Sequence, residues 1–312
     1  MTYIVLLNWN GWEDTKSCIH SIYQNTKEEF RIILLDNDSG DDSVKEINDY
    51  LDQKQLEYTY LNENNIESSH DLKEFVFIQN NGNYGFAKGI NVGLKYCISQ
   101  EDCNDIWLLN TDAIVDEYSL SSLKDKLYSS KEIGIVGSVI RYFDTPNLIQ
   151  TIGGGRFFPL LANGKLFYKN SDISIIDNIN FDKEIKKLDY IMGASLLIKK
   201  EVLNSIGLFD ENFFLYTEEL DLCTRAKEKG YSLSVAKKSF IYHKDSASTK
   251  DQKGMFYYLI NKSNAYYVQK HYGVFISYVA FFNNLFINLT SSSKRKYLIE
   301  SLKGYIDGYK IR

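Results

Sequence analysis

The sequence predicts an α/β fold: a mostly parallel sheet with helices on both faces, followed by a helical C-terminal extension. Three observations carry this. Short apolar runs alternate with amphipathic helical patterns through the first half of the chain. Each run ends on a polar residue: Asn8, Asp36, Gln79 and Asn110. From about Gln252 the pattern changes to long helical stretches rich in Tyr and Phe.

Taken in order, residues 3–7 form the first strand. A helix is predicted over 13–24, with Cys18, Ile19, Ile22 and Tyr23 at helical spacing. Residues 31–35 form the second strand. The helix after 39–42 puts Val44, Ile47 and Leu51 on one face. The polar stretch 57–72 is expected to be a loop. Residues 75–78 read as a strand, 86–97 as a helix and 106–109 as a fourth strand. The second half is less regular. Strands are expected over 133–140, 190–198 and 232–243, a Gly-rich turn in 151–169 at Gly153, Gly154 and Gly155, and a helix over 217–228 capped by Thr217. A boundary is placed at 247–253.

A chain of 312 residues suits one large domain or one domain with an appendage. A net charge of −5 gives no overall attraction to nucleic acid, so none is expected as a partner. The 24 tyrosines suit stacking on sugars, or reflect compositional bias alone. Cys18, Cys97, Cys103 and Cys223 are scattered with no CxxC pair, and no secretory leader is evident. Both features lead to the expectation of a reducing, cytoplasmic location.

In parallel sheets ligands bind beyond the carboxyl ends of the strands. Three groups of residues fall there. Asp36-Asn37-Asp38-Ser39 offers a carboxylate to a pyrimidine N3–H, or caps the next helix. The run 80–93 combines Asn83, Gly85, Phe86, Gly89 and Asn91. Its glycines permit a tight turn and close backbone approach, and Asn91 orients the loop or a diphosphate. Asn110-Thr111-Asp112 brings two oxygen ligands to the end of a buried strand. A leaving diphosphate there would need a hard cation, Mg2+ or Mn2+, with Asp112 the direct ligand. His243, after the last strand, either completes that shell or is structural. Glu218, Glu219 and Asp221 open a helix just after an aromatic run. They favour the helix dipole, or hold a general base in a partly apolar niche, with Asp221 and Arg225 paired in support.

Together these residues resemble glycosyltransferase family 2, with its GT-A fold, and the rhamnosyltransferase-like branch of bacterial surface-polysaccharide assembly. The matching segments are 8–12 with Asn8 and Asn10, Asp36-Asn37 with Ser39, 83–91, 109–112, 193–195, 218–225 and His243. They run in the family's order over 2–248. The resemblance implies an inverting, metal-dependent, non-processive transfer from a nucleoside-diphosphate sugar, UDP- or dTDP-linked, to a glycan or polyprenol-linked acceptor. It implies that Asp36 contacts the base, that Asp112 and His243 bind the metal, and that Glu219 is the base, with Glu218 beside it. Two departures stand out: the first DxD-type acid is Asn110, and the family's common Glu-Asp pair is Glu218-Glu219. The domain division becomes a catalytic domain over 1–248 and a helical region over 249–312. For that region, the aromatic stretch 272–282 and the cluster Lys294-Arg295-Lys296 fit a helix lying on the inner face of the cytoplasmic membrane. Packing on the catalytic domain or homodimerisation fits as well.

Competing readings are weaker on residue grounds. A nucleotidyltransferase would carry a basic Gly-rich loop after the first strand, where this chain has Asn8-Trp9-Asn10-Gly11-Trp12. A Rossmann dehydrogenase would carry GxGxxG there. A catalytically inactive binding module would have no need of Asp112, Glu219 and His243.

Overall fold

The computed structural model describes residues 1–68, 73–244 and 253–311. The strands are β1 (Thr2–Asn8), β2 (Phe30–Asp36), β3 (Tyr58–Asn62), β4 (Phe75–Gln79), β5 (Asp105–Leu109), β6 (Ala113–Val115), β7 (Ile133–Tyr142), β8 (Ile149–Ile152), β9 (Gly154–Phe158), β10 (Asn163–Leu166), β11 (Tyr190–Ile191), β12 (Ser195–Lys199) and β13 (Ser232–His243). The helices are α1 (Trp12–Asn25), α2 (Ser43–Gln53), α3 (Gly85–Ser99), α4 (Ser119–Tyr128), α5 (Phe181–Ile185), α6 (Lys200–Ile206), α7 (Glu218–Glu228), α8 (Lys253–Thr290), α9 (Ser292–Arg295) and α10 (Leu298–Tyr309).

The main sheet runs β3-β4-β2-β1-β5-β12-β7-β13-β6, with β8 added beside β7. Pairing is parallel from β3 to β5, and between β7 and β13. It is antiparallel where β12 enters between β5 and β7, and at β6 and β8. Strand alternation sorts the core into two layers. Ile4, Leu6, Ile32 and Leu34 face α1, α2 and α4 through Ile19, Ile47 and Leu123. Tyr3, Val5, Ile33 and Leu35 face α3, α6 and α7 through Ile90, Val202 and Leu222. Burial on both faces is why these strands read as continuous apolar runs.

Several sequence expectations change. The stretch 57–72 was expected to be a loop but contains the edge strand β3. With a neighbour on one side only, it tolerates the polar pattern and leaves Tyr60 exposed. Gly154 and Gly155 lie inside β9, not in a turn. A Cβ on Gly154 would meet Tyr190 O at 2.0 Å, and one on Gly155 would meet Lys165 O at 2.5 Å, so backbone proximity selects both. The stretch 190–198 splits into β11 and β12. Thr217 occupies the N-cap position of α7, but its hydroxyl donates to Asn264 Oδ1 at 2.8 Å and does not cap the helix. The expected boundary at 247–253 and the 248/249 division fall on residues outside those described.

The C-terminal helices share the core of the sheet domain: Ala265, Tyr267 and Val268 belong to the same apolar layer as β1 and α3. Helix α8 breaks at Gly273 (φ 82°, ψ 170°). Its first half is tied to the sheet domain: Ser263 Oγ donates to Leu215 O and Asn264 Nδ2 to Ala162 O. Helix α10 lies directly on that first half, with its glycines against main-chain oxygens. A Cβ on Gly304 would meet Tyr258 O at 2.2 Å, and one on Gly308 would meet Lys262 O at 2.3 Å.

In an open helix, Gly→Ala stabilises by up to about 1 kcal/mol. Gly304→Ala is therefore expected to invert the sign and destabilise by about 1–3 kcal/mol through overpacking. Gly254→Ala, whose Cβ has ordinary contact distances, keeps the stabilising sign. Urea denaturation of the two variants checks this, and equal effects would refute the close packing.

Candidate active site

Strand register sets the floor of the site. Asn8 pairs with Asp36 and Asp36 with Gln79 across β1, β2 and β4, so three polar side chains end the strands side by side. The Asp36 carboxylate is fully buried and accepts four hydrogen bonds: from Asn8 Nδ2 (2.7 Å), Ser39 Oγ (2.7 Å), Ser39 N (2.9 Å) and Gln79 Nε2 (3.1 Å). Asn8 is buried too and accepts from Thr15 Oγ1. The acceptor positions of Asp36 are thus engaged from within the protein. Asp36 and Asn8 brace the loops above them. Asn10 (φ 52°) and Asp38 (φ 59°) are the exposed groups there, both in left-handed turns. The two loops are joined by Asn10 N donating to Ser39 Oγ and Gly40 N donating to Asn10 Oδ1.

The run 80–93 has the same layered character. Asn37 is buried and ties the loop together. Its Nδ2 donates to Asn83 Oδ1 and Gly85 O, and its Oδ1 accepts from Asn80 Nδ2. Gly89 leaves room for that amide, which a Cβ would meet at 2.8 Å. Gly85 has φ 71° and no space for a Cβ, since Phe214 O would lie 2.2 Å away; Phe86 N donates to that oxygen at 2.7 Å. Asn91 is buried in α3, with Nδ2 donating to Phe209 O and Oδ1 accepting from Phe209 N. Asn37, Gly85, Phe86, Gly89 and Asn91 were expected to bind the donor. In this structure Asn37 and Gly89 brace the 80–89 loop, while Gly85, Phe86 and Asn91 hold the segment 206–217, ahead of the carboxylates, against α3. Asn83 alone of the group is exposed.

At the other side of β1, β13 and β6 bring distant residues together. His243 pairs with Ala113 in register. His243 Nε2 then lies 3.1 Å from Asp112 Oδ1 and 3.2 Å from Asn110 Nδ2. His243 Nδ1 lies 2.9 Å from Gln150 Oε1, which puts the ring proton on Nδ1 and the lone pair on Nε2. With that tautomer Nε2 accepts from Asn110 Nδ2 and also faces the Asp112 carboxylate oxygen, an oxygen–nitrogen pair 3.1 Å apart. This donor set fits a divalent cation, with Gln150 orienting the imidazole. Among the described residues no third carboxylate, thiolate or imidazole joins the pair.

The carboxylates at the start of α7 have contrasting environments. Tyr216 and Thr217 both take left-handed backbone (φ 70° and 73°), a strained approach that the bonds from α8 hold in place. Glu218 is buried, and its Oε2 has no hydrogen-bond partner. Burial, then the adjacent Glu219, pushes the Glu218 carboxyl well above the ordinary range. Glu219 is half-buried, and burial raises it to about 7. Asp221 behaves in the opposite way. Arg225 Nε lies 2.8 Å from it, Lys270 Nζ 2.6 Å and His271 Nε2 2.8 Å. These partners outweigh its burial and hold it at about 2. Arg225 also donates to Ile206 O and Leu208 O, so the expected supporting pair anchors the same 206–217 segment.

The two groups of residues are joined. Asn110 N donates to Ala194 O, and Ile191 N to Cys223 Sγ on α7. Gly193 between them has open space where a Cβ would stand, and Met192 and Gly193 are half-buried. Tyr190, in β11 just before this segment, is pushed upward by burial and by the charge of Glu219. Sequence reasoning missed Gln150, Tyr190, Lys270 and His271. Gln150 sits in the short Ile-Gln-Thr-Ile stretch 149–152, where nothing local singles it out, and the others had no local signal.

The family model of glycosyl transferase family 2 matches residues 3–176. A low-salt glycan biosynthesis hexosyltransferase (Agl10) of Haloferax volcanii is 21% identical over 231 residues, 74% of this chain and 62% of the relative. An N-acetylglucosaminyl-diphospho-decaprenol L-rhamnosyltransferase of Mycobacterium tuberculosis is 24% identical over 156 residues, 47% of this chain and 50% of the relative. The chain thus spans under two thirds of the length of either relative. The crystal structure of GalNAc-T7 with UDP, GalNAc and Mn2+ aligns with a TM-score of 0.64 at 14% identity. That alignment covers 100% of this chain and 56% of the other. The fold is of the GT-A type, and the chain belongs to glycosyl transferase family 2.

Glu219 makes a pH-dependent contribution to stability. Its folded value of about 7 lies above that of a free carboxyl, near 4.3. The folded state therefore holds the proton more tightly, and this stabilisation is complete below about pH 4 and lost as pH rises through about 7. Glu219→Gln is expected to lose less stability than wild type between pH 5 and 8 in urea denaturation. Parallel pH profiles would contradict the raised value.

Proposed function

We propose that this family 2 glycosyltransferase moves a sugar from a nucleoside diphosphate, UDP- or dTDP-linked, to a hydroxyl of a glycan or polyprenol-linked acceptor, with inversion at the anomeric carbon. The observation that carries this reading is a half-buried carboxylate, Glu219, raised to about 7, on a helix that the segment 191–194 links to the Asn110–Asp112 loop beside His243; we take 192–194 to line the groove between them. A base poised near neutral pH and an oxygen–nitrogen donor set for a cation are what displacement of a diphosphate needs. An inert binding module has no use for an uncompensated buried carboxylate.

In the proposed reaction Glu219 takes the proton of the acceptor hydroxyl as that oxygen bonds to the anomeric carbon. The bond from that carbon to the diphosphate breaks on the opposite side. Glu218 keeps its proton and adds no second charge. Asp112 and His243 would hold Mg2+ or Mn2+, which supplies charge stabilisation for the departing diphosphate. Asn10, Asp38 and Asn83 are the exposed groups above the strand ends and would meet the nucleotide. Support for a divalent ion comes from the donor set and from the Mn2+ in the similar solved structure. Four free, buried cysteines fit a reducing, cytoplasmic setting. The Q-x-x-R-W motif of processive relatives is absent from the sequence, in keeping with one sugar per encounter.

A panel of UDP- and dTDP-sugars, scored by released nucleoside diphosphate, tests the reading. Asp112→Ala is expected to abolish release and weaken metal-dependent nucleoside diphosphate binding. Gln150→Leu should cost about 10–100-fold in metal affinity. Glu219→Gln should retain donor binding and lose about 10²–10⁴-fold in turnover, with a smaller loss in Glu218→Gln. Full activity of the wild type in excess EDTA would refute the metal role, and a dead Glu218→Gln beside a normal Glu219→Gln would reverse the assignment of the base.

A further inference from the structure

The second half of α8 is packed on one side only. After Gly273, Ser277 and Ala280 are buried, Tyr309 donates its hydroxyl to Ser277 O at 2.6 Å, and Phe281 meets Tyr305 edge-on at 5.6 Å. Phe275, Tyr278, Phe282, Phe286 and Leu289 follow one another at intervals of three or four residues and form an exposed stripe. Phe275 is 78% exposed and Phe286 68%. A second element joins it. The tip of the β9–β10 hairpin exposes Phe158, Leu160 and Leu161, and Asn283 Nδ2 on α8 donates to Leu160 O at 2.8 Å. The other end of this hairpin lies by the groove. Cβ atoms on Gly155 and Gly164 would meet the Tyr190 hydroxyl at 2.8 and 3.1 Å, and Tyr190 neighbours Glu219.

Charge selects the occupant. The chain carries a net charge of −5, yet residues 252–299 contain no Asp or Glu and six Lys or Arg. Three of the six, Lys294, Arg295 and Lys296, follow the end of the stripe. Apolar side chains followed by cations, with no intervening acid, match an anionic lipid surface. An isologous dimer through this face would instead bring two acid-free, cationic segments together. Length decides the mode. Helix α8 is long and apolar enough to cross a membrane, but Asn261, Ser263 and Asn264 in its first half are buried within the protein. The 17 residues after the Gly273 break, up to Thr290, extend about 25 Å, short of the ~30 Å hydrocarbon core.

We propose that the second half of α8 and the β9–β10 tip form a docking face that lies in the plane of an anionic bilayer, with the catalytic groove at the far end of the hairpin. The proposal stands on the exposed face and its charge, and does not require the sugar-transfer reading. Flotation of the full chain with phosphatidylcholine vesicles, with and without phosphatidylglycerol, at low and physiological salt, tests it. The protein is expected to float with the anionic vesicles. Phe282→Ser with Phe286→Ser should reduce the bound fraction at least about tenfold. Lys294→Glu with Arg295→Glu and Lys296→Glu should reduce it most at low salt. Thermal melting checks that the variants are folded, and nucleoside diphosphate release in the absence of vesicles should match wild type, which separates this proposal from the catalytic one. Absence of flotation at both salts overturns it. So does a non-floating protein that sedimentation shows to be a dimer dissociated by the phenylalanine substitutions.

Discussion

Of the three carboxylates at the start of α7, one is paired with cations and two are not, and that difference sets the chemistry of the site. Asp221 holds Arg225 from its own helix and Lys270 from α8, which it shares with Asp210, and meets the His271 ring at 2.8 Å. It is held at about 2 and serves as an anchor. Glu218 and Glu219 have no ion pair among the described residues, and burial raises both. Neighbouring acids with divergent proton affinities are how one helix end can carry a fixed charge, a proton store and a base. The C-terminal helices matter here because α8 supplies Lys270, the His271 ring and the bonds that hold the strained turn at Tyr216 and Thr217.

A second principle runs along the strand ends, where polar residues divide by depth. Asn8, Asn37 and Asn91 are buried amides. An amide can donate and accept at once, so each stitches two segments without bringing a charge into the core. Asp36 is the charged member and is tolerated because four donors surround it. Above this floor stand the exposed groups, Asn10, Asp38 and Asn83.

This depth is what the amino-acid sequence conceals. The sheet was legible because doubly buried strands need unbroken apolar runs. Strand β3 was not, because an edge strand needs no such run. Asp36, Asn37, Gly89 and Asn91 stood out by type and spacing, but sequence does not distinguish a side chain that meets a ligand from one that supports the loop meeting it. Asp112 and His243 are separated by 130 intervening residues, so their 3.1 Å approach was visible only through the order of family motifs. Gln150 completes that site yet sits in an unremarked strand. Lys270 and His271 looked like ordinary helix polar residues, since their partner, Asp221, is distant in sequence.

The central claim is that Glu219, left without a counter-ion, is the base. The most direct measurement is kcat/KM for nucleoside diphosphate release in the presence of acceptor, followed from about pH 5 to about pH 9, since that parameter reports the ionisation of the free enzyme. The account predicts a rate that rises with pH through a single apparent pKa of about 7 and then levels. A rate already at its plateau near the ordinary carboxylate range would contradict it.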